Sequence, residues 1–250
     1  MFSKISSYLK ELRFLQLTIY LLLLLIIWPL VAVNWFFAVL VEFFLINSLL
    51  VTLSALGPRI HFKWFLWISW CLGTLFYVLS LITVTPAMIN LWHILDIIFS
   101  TLFLFCCVLA TLLYIFRSEQ VTLDTIFAGV MTFLLLAFIY SLFYQFILAL
   151  DPHAFKLPSP VPPHPYRFFQ NDMIYFSLVT ITTLGYGDIV PVTTIARMIG
   201  VVEAINGQFY VAILVAWLVG KFISQSLRSG LQGVDQDHQQ PGRLGQKEGS

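Results

Sequence analysis

Charge is scarce in this sequence. Asp, Glu, Lys and Arg together make up 10% of the 250 residues, against about 25% in an ordinary soluble domain. Hydrophobic residues make up 60%, and mean hydropathy is +0.91. So few charges cannot cover a water-facing surface, which excludes a soluble globular domain and points to an all-α integral membrane protein. The net charge is only +1, and no basic cluster is interleaved with aromatics, so no nucleic-acid partner is expected. Cysteine is sparse too. Cys71, Cys106 and Cys107 all lie inside apolar runs, which excludes a disulfide framework and reads as small apolar packing residues. Zinc-type Cys/His spacings, phosphate-binding loops and nucleophile–base pairings are missing, so neither an enzyme nor a cofactor is expected. Phe14 to Val33 lacks a small-residue cleavage site and reads as a retained helix rather than a signal peptide.

What the chain has in quantity is charge-free apolar sequence. About 20 apolar residues cover about 30 Å of hydrocarbon, so charge-free intervals count spans. Residues 1–13 form a short amphipathic lead carrying Lys4, Lys10 and Arg13. The apolar sequence from Phe14 to Leu56 breaks near Pro29 to Asn34, which predicts helices at 14–31 and 35–56. Beyond Gly57-Pro58-Arg59, helices are predicted at 64–83, 92–116, 124–149 (capped by Thr122 or Asp124) and 193–227. Residues 151–167 hold six of the eleven prolines and are predicted to be irregular, in water or at the membrane surface. The tail 229–250, rich in Gly, Gln and Asp, is predicted to be disordered. Six spans put both termini on one side. With that side cytoplasmic, ten of the thirteen Lys and Arg lie inside and only Lys156, Arg167 and Arg197 outside, as the positive-inside rule requires. A multi-pass cell-membrane protein follows, embedded in membrane lipid, with cytoplasmic N- and C-termini.

One apolar interval fails the length test. Met173 to Gly187 is uncharged but only 15 residues long, and at about 1.5 Å per residue a helix there reaches about 22 Å. It must enter and leave on the same side, and non-helical backbone at that depth is tolerated only when buried in protein or lining a water-filled path. Asn171 or Asp172 is the predicted cap of its helix, whose negative C-terminal end near Thr182 favours a cation. Next comes Thr183-Leu184-Gly185-Tyr186-Gly187-Asp188. A cation entering a membrane needs oxygens in place of its lost water, and a backbone whose carbonyls share one axis supplies them. Aligning carbonyls takes left-handed dihedrals at alternate residues, which Gly185 and Gly187 adopt without steric cost. The Thr183 hydroxyl sits at the inner mouth, and the Tyr186 ring can brace the loop.

This stretch resembles the selectivity filter of potassium channels, whose usual form is Thr-Val-Gly-Tyr-Gly followed by Asp. Leu184 replaces the Val, at a position where only the carbonyl faces the ion. The resemblance is specific from residue 171 to 207 and architectural elsewhere. It implies that Thr183, Leu184, Gly185, Tyr186 and Gly187 bind potassium, with a re-entrant pore helix between the fifth and sixth of six transmembrane helices. Since a single filter cannot enclose a pore, the chain is expected to assemble as a C4 homotetramer. At the outer mouth the resemblance implies a bond between Asp188 and Tyr175. Phe176 stands where a Trp is frequent and has no hydrogen bond to offer Tyr186. Gly207, 19 residues beyond Asp188, falls where the family's inner helix often bends; close helix packing is the other reading. The same register turns Gln208, Val211, Val215 and Val219 toward a water-filled vestibule and puts Ile223 near a cytoplasmic gate.

The fourth predicted helix has no Lys or Arg between Asp96 and Arg117. Moving one charge across the membrane is worth about 2.3 kcal/mol per 100 mV, so without such charges steep voltage gating is not expected. Two acids, Glu42 and Glu203, fall inside spans, where charge is costly. Glu203 is expected to bond the end of the pore helix, with a proton sensor as the sharper alternative, and Glu42 to snorkel or pair. His153 and His164 read as solvated loop residues, or else as a source of pH or metal sensitivity. The domains expected are the lead at 1–13, a four-helix domain at 14–117, a pore domain at 118–228 and the tail at 229–250. The expected activity is passive, potassium-selective conduction. The rivals are a weakly selective cation channel and a non-conducting membrane subunit or receptor with a pore fold.

Overall fold

The computed structural model describes residues 13–31, 60–83, 85–118, 120–157 and 165–238. In order these form α1 (Arg13–Val31), α2 (Ile60–Ile82), α3 (Pro86–Arg117), α4 (Leu123–Leu150), β1 (Phe155–Lys156), α5 (Pro165–Ile181), β2 (Val190–Pro191) and α6 (Thr194–His238). Three stretches among the described residues are long and apolar enough to cross a membrane: Ala87–Arg117, Leu123–Leu150 and Thr194–Leu227. Two shorter apolar helical stretches, Phe14–Ile27 and Trp64–Ser80, accompany them. The helix expected at 35–56, with Glu42, lies outside the described residues, as do His164 and the end of the tail from 239.

Several boundaries differ from expectation. Helix α3 begins at Pro86 rather than at Trp92, with Thr85 in extended conformation before it. Pro is well suited to this first position, because its missing N–H is one that a helix start leaves unpaired anyway. The same reasoning moves the start of α5 back to Pro165, so Pro165 to Arg167 are helical rather than irregular. Asn171 and Asp172 then lie inside α5, not at its cap. At the other end of the chain, α6 continues from Leu227 through His238, over residues expected to be disordered. Extending an existing helix adds a hydrogen bond per residue without a new nucleation cost.

Helix α4 is the centre of the packing. Leu17 of α1, Leu66 of α2, Phe103 and Cys107 of α3, and Met131 and Leu135 of α4 share one buried core. Only Ser118 to Thr122 separate α3 from α4, which makes the two an antiparallel hairpin. Thr122 caps α4 through a side-chain bond with Thr125. Asp124, the other candidate cap, is buried and accepts instead from the Phe14 N–H at 2.7 Å and the Tyr114 hydroxyl at 3.1 Å. It thereby pins the start of α1 to α4. Cys106 and Cys107 are buried in the core, whereas Cys71 is exposed on α2.

The two short strands are antiparallel, with Phe155 opposite Pro191 and Lys156 opposite Val190. The ribbon is extended by the Val192 N–H, which donates to the Ala154 carbonyl at 2.8 Å. Because β1 precedes α5 and β2 follows it, the ribbon brackets α5 and the loop after it. That insertion is the site described next.

Candidate functional site: the loop between α5 and α6

Every α-helix ends with carbonyls that lack an intrahelical partner. At the end of α5 the following loop supplies the partners. The N–H groups of Thr182, Thr183 and Leu184 donate to Leu178, Thr180 and Val179 at 3.2, 2.9 and 2.9 Å, and that of Gly185 reaches Val179 at 3.2 Å. The donors of the first half of the loop are thus spent on the helix. Its own carbonyls, from Thr183 to Gly187, accept no hydrogen bond among the described residues. Backbone dihedrals alternate over the same stretch: φ is +58° at Thr183, +58° at Gly185 and +78° at Gly187, with no positive value between them. Glycine takes these values freely. Thr183 does not, since left-handed backbone costs an L-residue about 1–2 kcal/mol. Its hydroxyl makes a local bond of 2.7 Å to the Thr182 carbonyl. The left-handed step at Thr183 was not expected from the sequence, where only the glycines signal positive φ.

Beyond Gly187 the structure brings Asp188 and Tyr175 together. The Tyr175 hydroxyl donates to Asp188 Oδ2 at 2.7 Å, and its ring stacks on Tyr186 with centroids 6.5 Å apart and planes 10° from parallel. This bond holds the Asp188 carboxyl below the usual carboxylate range and pushes the Tyr175 phenol up to about 12. Asp172 is moved the other way, upward, first by burial and then by the nearby charge of Asp188. Since the fold favours ionised Asp188, the Tyr175 bond is present above the ordinary carboxylate pKa and is lost as pH falls through the lowered value. In Tyr175→Phe, Asp188 should protonate at higher pH than in the parent. A pH titration of activity should therefore fall off earlier on acidification, and an unshifted curve would show that the bond does not govern this charge.

Phe176, on another face of α5, lies away from this stack and packs edge-on against Tyr144 and Phe155, with centroids 5.0 and 5.4 Å away. Glu203 is fully buried on α6. It accepts from the Tyr144 hydroxyl of α4 and from Ser177 in the last third of α5, rather than from the helix end. Ser177 also reaches the Ala137 carbonyl at 2.6 Å, so one carboxyl ties three helices together. Tyr144, Ser177 and the Tyr140–Asn206 pair were not singled out from sequence. Their signal was available: polar side chains in otherwise apolar helices.

The buried positions in the first half of α6 are few and small or polar: Ala196, Gly200, Glu203 and Gly207. A Cβ on Gly207 would lie 2.5 Å from the Ile181 carbonyl oxygen and 2.8 Å from Ile181 Cγ1. No side chain fits at this position, and α6 continues through it as helix. Beside it, the Gln208 amide Nε2 lies 3.5 Å from Thr183 Oγ1. Val211, Val215, Val219 and Ile223 continue the same helix face and are all about half exposed.

A backbone that offers a run of unpaired carbonyls inside an apolar helical frame is suited to carrying cations, and comparison with known proteins agrees at the level of family. Protein LctB of Bacillus caldotenax is 29% identical over 99 residues, which cover 39% of this chain and 72% of that protein. No solved structure matches the chain significantly. The model of the family described as Ion channel matches residues 97–224, just over half of the chain, and the chain belongs to that family.

Proposed function

We propose that this protein is a potassium-selective channel, conducting passively through a homotetrameric pore lined by Thr183, Leu184, Gly185, Tyr186 and Gly187. The observation that carries this reading is the alternation of φ at Thr183, Gly185 and Gly187, together with five successive carbonyls left without a hydrogen-bond donor. Alternating hands turn successive carbonyls to one side, where they can replace a cation's water. In a single chain they face nothing, and Tyr186 is 65% exposed. Helix α6 is likewise mostly exposed and apolar, with Phe209 at 63%. Neighbouring copies around a shared axis would cover both and close the pore.

In this reading α5 is a re-entrant pore helix, α4 the outer helix and α6 the inner helix. Residues 118–228 form the pore module and 14–117 a sensorless membrane domain around it, with the lead at 1–13 and the tail at 229–250 both cytoplasmic. Asp188, Tyr175 and Thr182 support the filter, while Phe176 braces α5 from behind. Val211, Val215 and Val219 line the vestibule, and Ile223 lies near the gate. Conduction involves no chemical step and no cofactor. With no Lys or Arg between Asp96 and Arg117, opening depends little on voltage.

One observation favours a second reading. Among the described residues Tyr186 stacks on Tyr175, and Phe176 is turned away from it, which suits a looser filter that also admits sodium. Purified protein in liposomes tests both. A potassium-selective filter gives potassium flux that barium blocks and sodium does not replace. Reversal potentials in mixed potassium and sodium near zero would favour the weakly selective channel. Absence of flux would leave a non-conducting pore fold.

A further inference from the structure

We propose that Gln208 builds an additional cation site immediately inside the filter, a ring of side-chain amide oxygens contributed one by each chain. The inference rests on the tetrameric pore reading. It starts from the Thr183 hydroxyl, which has a single hydrogen. That hydrogen is committed to the Thr182 carbonyl at 2.7 Å, so Thr183 Oγ1 has only lone pairs to offer. The Gln208 side chain next to it, at 3.5 Å, must therefore present its N–H and not its oxygen. The choice between the two ends of the amide, which shape alone does not make, is settled by this count of hydrogens. Oε1 of the same planar group is then directed away from Thr183, and it makes no hydrogen bond among the described residues.

Its surroundings give that oxygen a purpose. Gln208 is exposed, as are Val211 and Val215 further along the same face. It is the one polar side chain in a row that continues with Val211, Val215, Val219 and Ile223. A hydrated cation moving along that row meets no side-chain oxygen until Gln208, then the Thr183 hydroxyl, then the carbonyls. Amide oxygens are hard ligands suited to a hard cation that still holds part of its water. The ring would let a cation shed that water in two steps, first against Gln208 and then in the filter.

Barium is the probe, because its double charge lengthens its stay wherever oxygens replace water. The full-length protein is reconstituted in planar bilayers, and potassium current is recorded with barium added to one side at a time. Gln208→Leu keeps the bulk of the side chain and removes the oxygen; it should weaken block by internal barium about tenfold, the equivalent of about one modest ligand interaction. Block by external barium and the potassium-to-sodium ratio should stay as in the parent. Gln208→Glu, which replaces the amide oxygen by a charge, should tighten internal block instead. Unchanged internal block in both variants, with potassium current intact, would overturn the proposal. So would parallel changes in internal block, external block and selectivity, since those indicate a filter loosened as a whole. If Gln208→Leu does not assemble, Gln208→Glu decides by the same criterion. A parent protein that passes no potassium would fail earlier, and would refute the pore reading itself together with this site.

Discussion

Gly185→Ala should abolish potassium flux while leaving the protein folded. Nothing lies within 4 Å of where the new Cβ would stand, so the methyl group has room and causes no clash. The obstacle is backbone conformation. At φ +58° an alanine costs about 1–2 kcal/mol, and the loop can relieve that strain by rotating residue 185 out of the left-handed region. Such a rotation turns the adjacent peptide and removes one oxygen from the run. In the proposed tetramer the loss occurs in every chain at once. A small penalty per chain therefore becomes a complete interruption of the path. Liposome flux should fall to background, whereas thermal unfolding should shift only slightly. Wild-type flux through Gly185→Ala would mean that the carbonyl alignment is not what carries the ion.

The second large effect is expected at Glu203, and it should appear in stability before it appears in conduction. The carboxyl is fully buried and receives the Tyr144 hydroxyl and Ser177. Glu203→Ala removes both partners and leaves a void. The buried Tyr144 hydroxyl, left without this acceptor, costs about 1–3 kcal/mol, Ser177 keeps the Ala137 carbonyl at 2.6 Å, and the void adds to the loss. A loss of this size is comparable with a large part of a typical domain's stability, which is about 5–15 kcal/mol. Purified Glu203→Ala should therefore unfold at markedly lower temperature than the parent. Glu203→Gln is expected to be mild. Its amide oxygen still accepts from Tyr144, and its N–H can donate to Ser177 Oγ, which releases the Ser177 hydrogen for the Ala137 carbonyl at 2.6 Å. The contrast between the two variants separates a hydrogen-bonded tie from a requirement for charge. If Gln were as damaging as Ala, the ionised carboxylate itself would be needed.

Parts of this protein were legible before any fold was known, for identifiable reasons. The glycines at 185 and 187 announce left-handed backbone because no other residue adopts it cheaply. Low charge and apolar runs mark helices in a membrane because the bilayer leaves backbone groups few other solutions. The start of α4 at Thr122 could be read from its capping chemistry. Helix ends elsewhere were harder, because Pro86 and Pro165 act as first-turn residues and a proline serves as a breaker in other settings. The left-handed Thr183 was hidden, since nothing in a threonine signals positive φ. It takes the neighbouring loop and the end of α5, already bonded to Leu184 and Gly185, to impose it.

From the sequence by itself came the kind of solvent this chain occupies, the interval too short to cross it, and the loop whose carbonyls could be aligned. Those are properties of composition, length and local dihedral preference, and each acts within a few residues of where it is written. Only the tertiary structure decided what surrounds that loop: the buried Glu203 joining α4, α5 and α6, the ribbon that closes the insertion, Gly207 against Ile181, and Gln208 beside Thr183. These contacts join residues 26 positions apart between Ser177 and Glu203 and 59 between Tyr144 and Glu203. Partners so distant in the chain are selected by how whole helices pack, and helix packing depends on the shapes of complete faces rather than on any short run of residues.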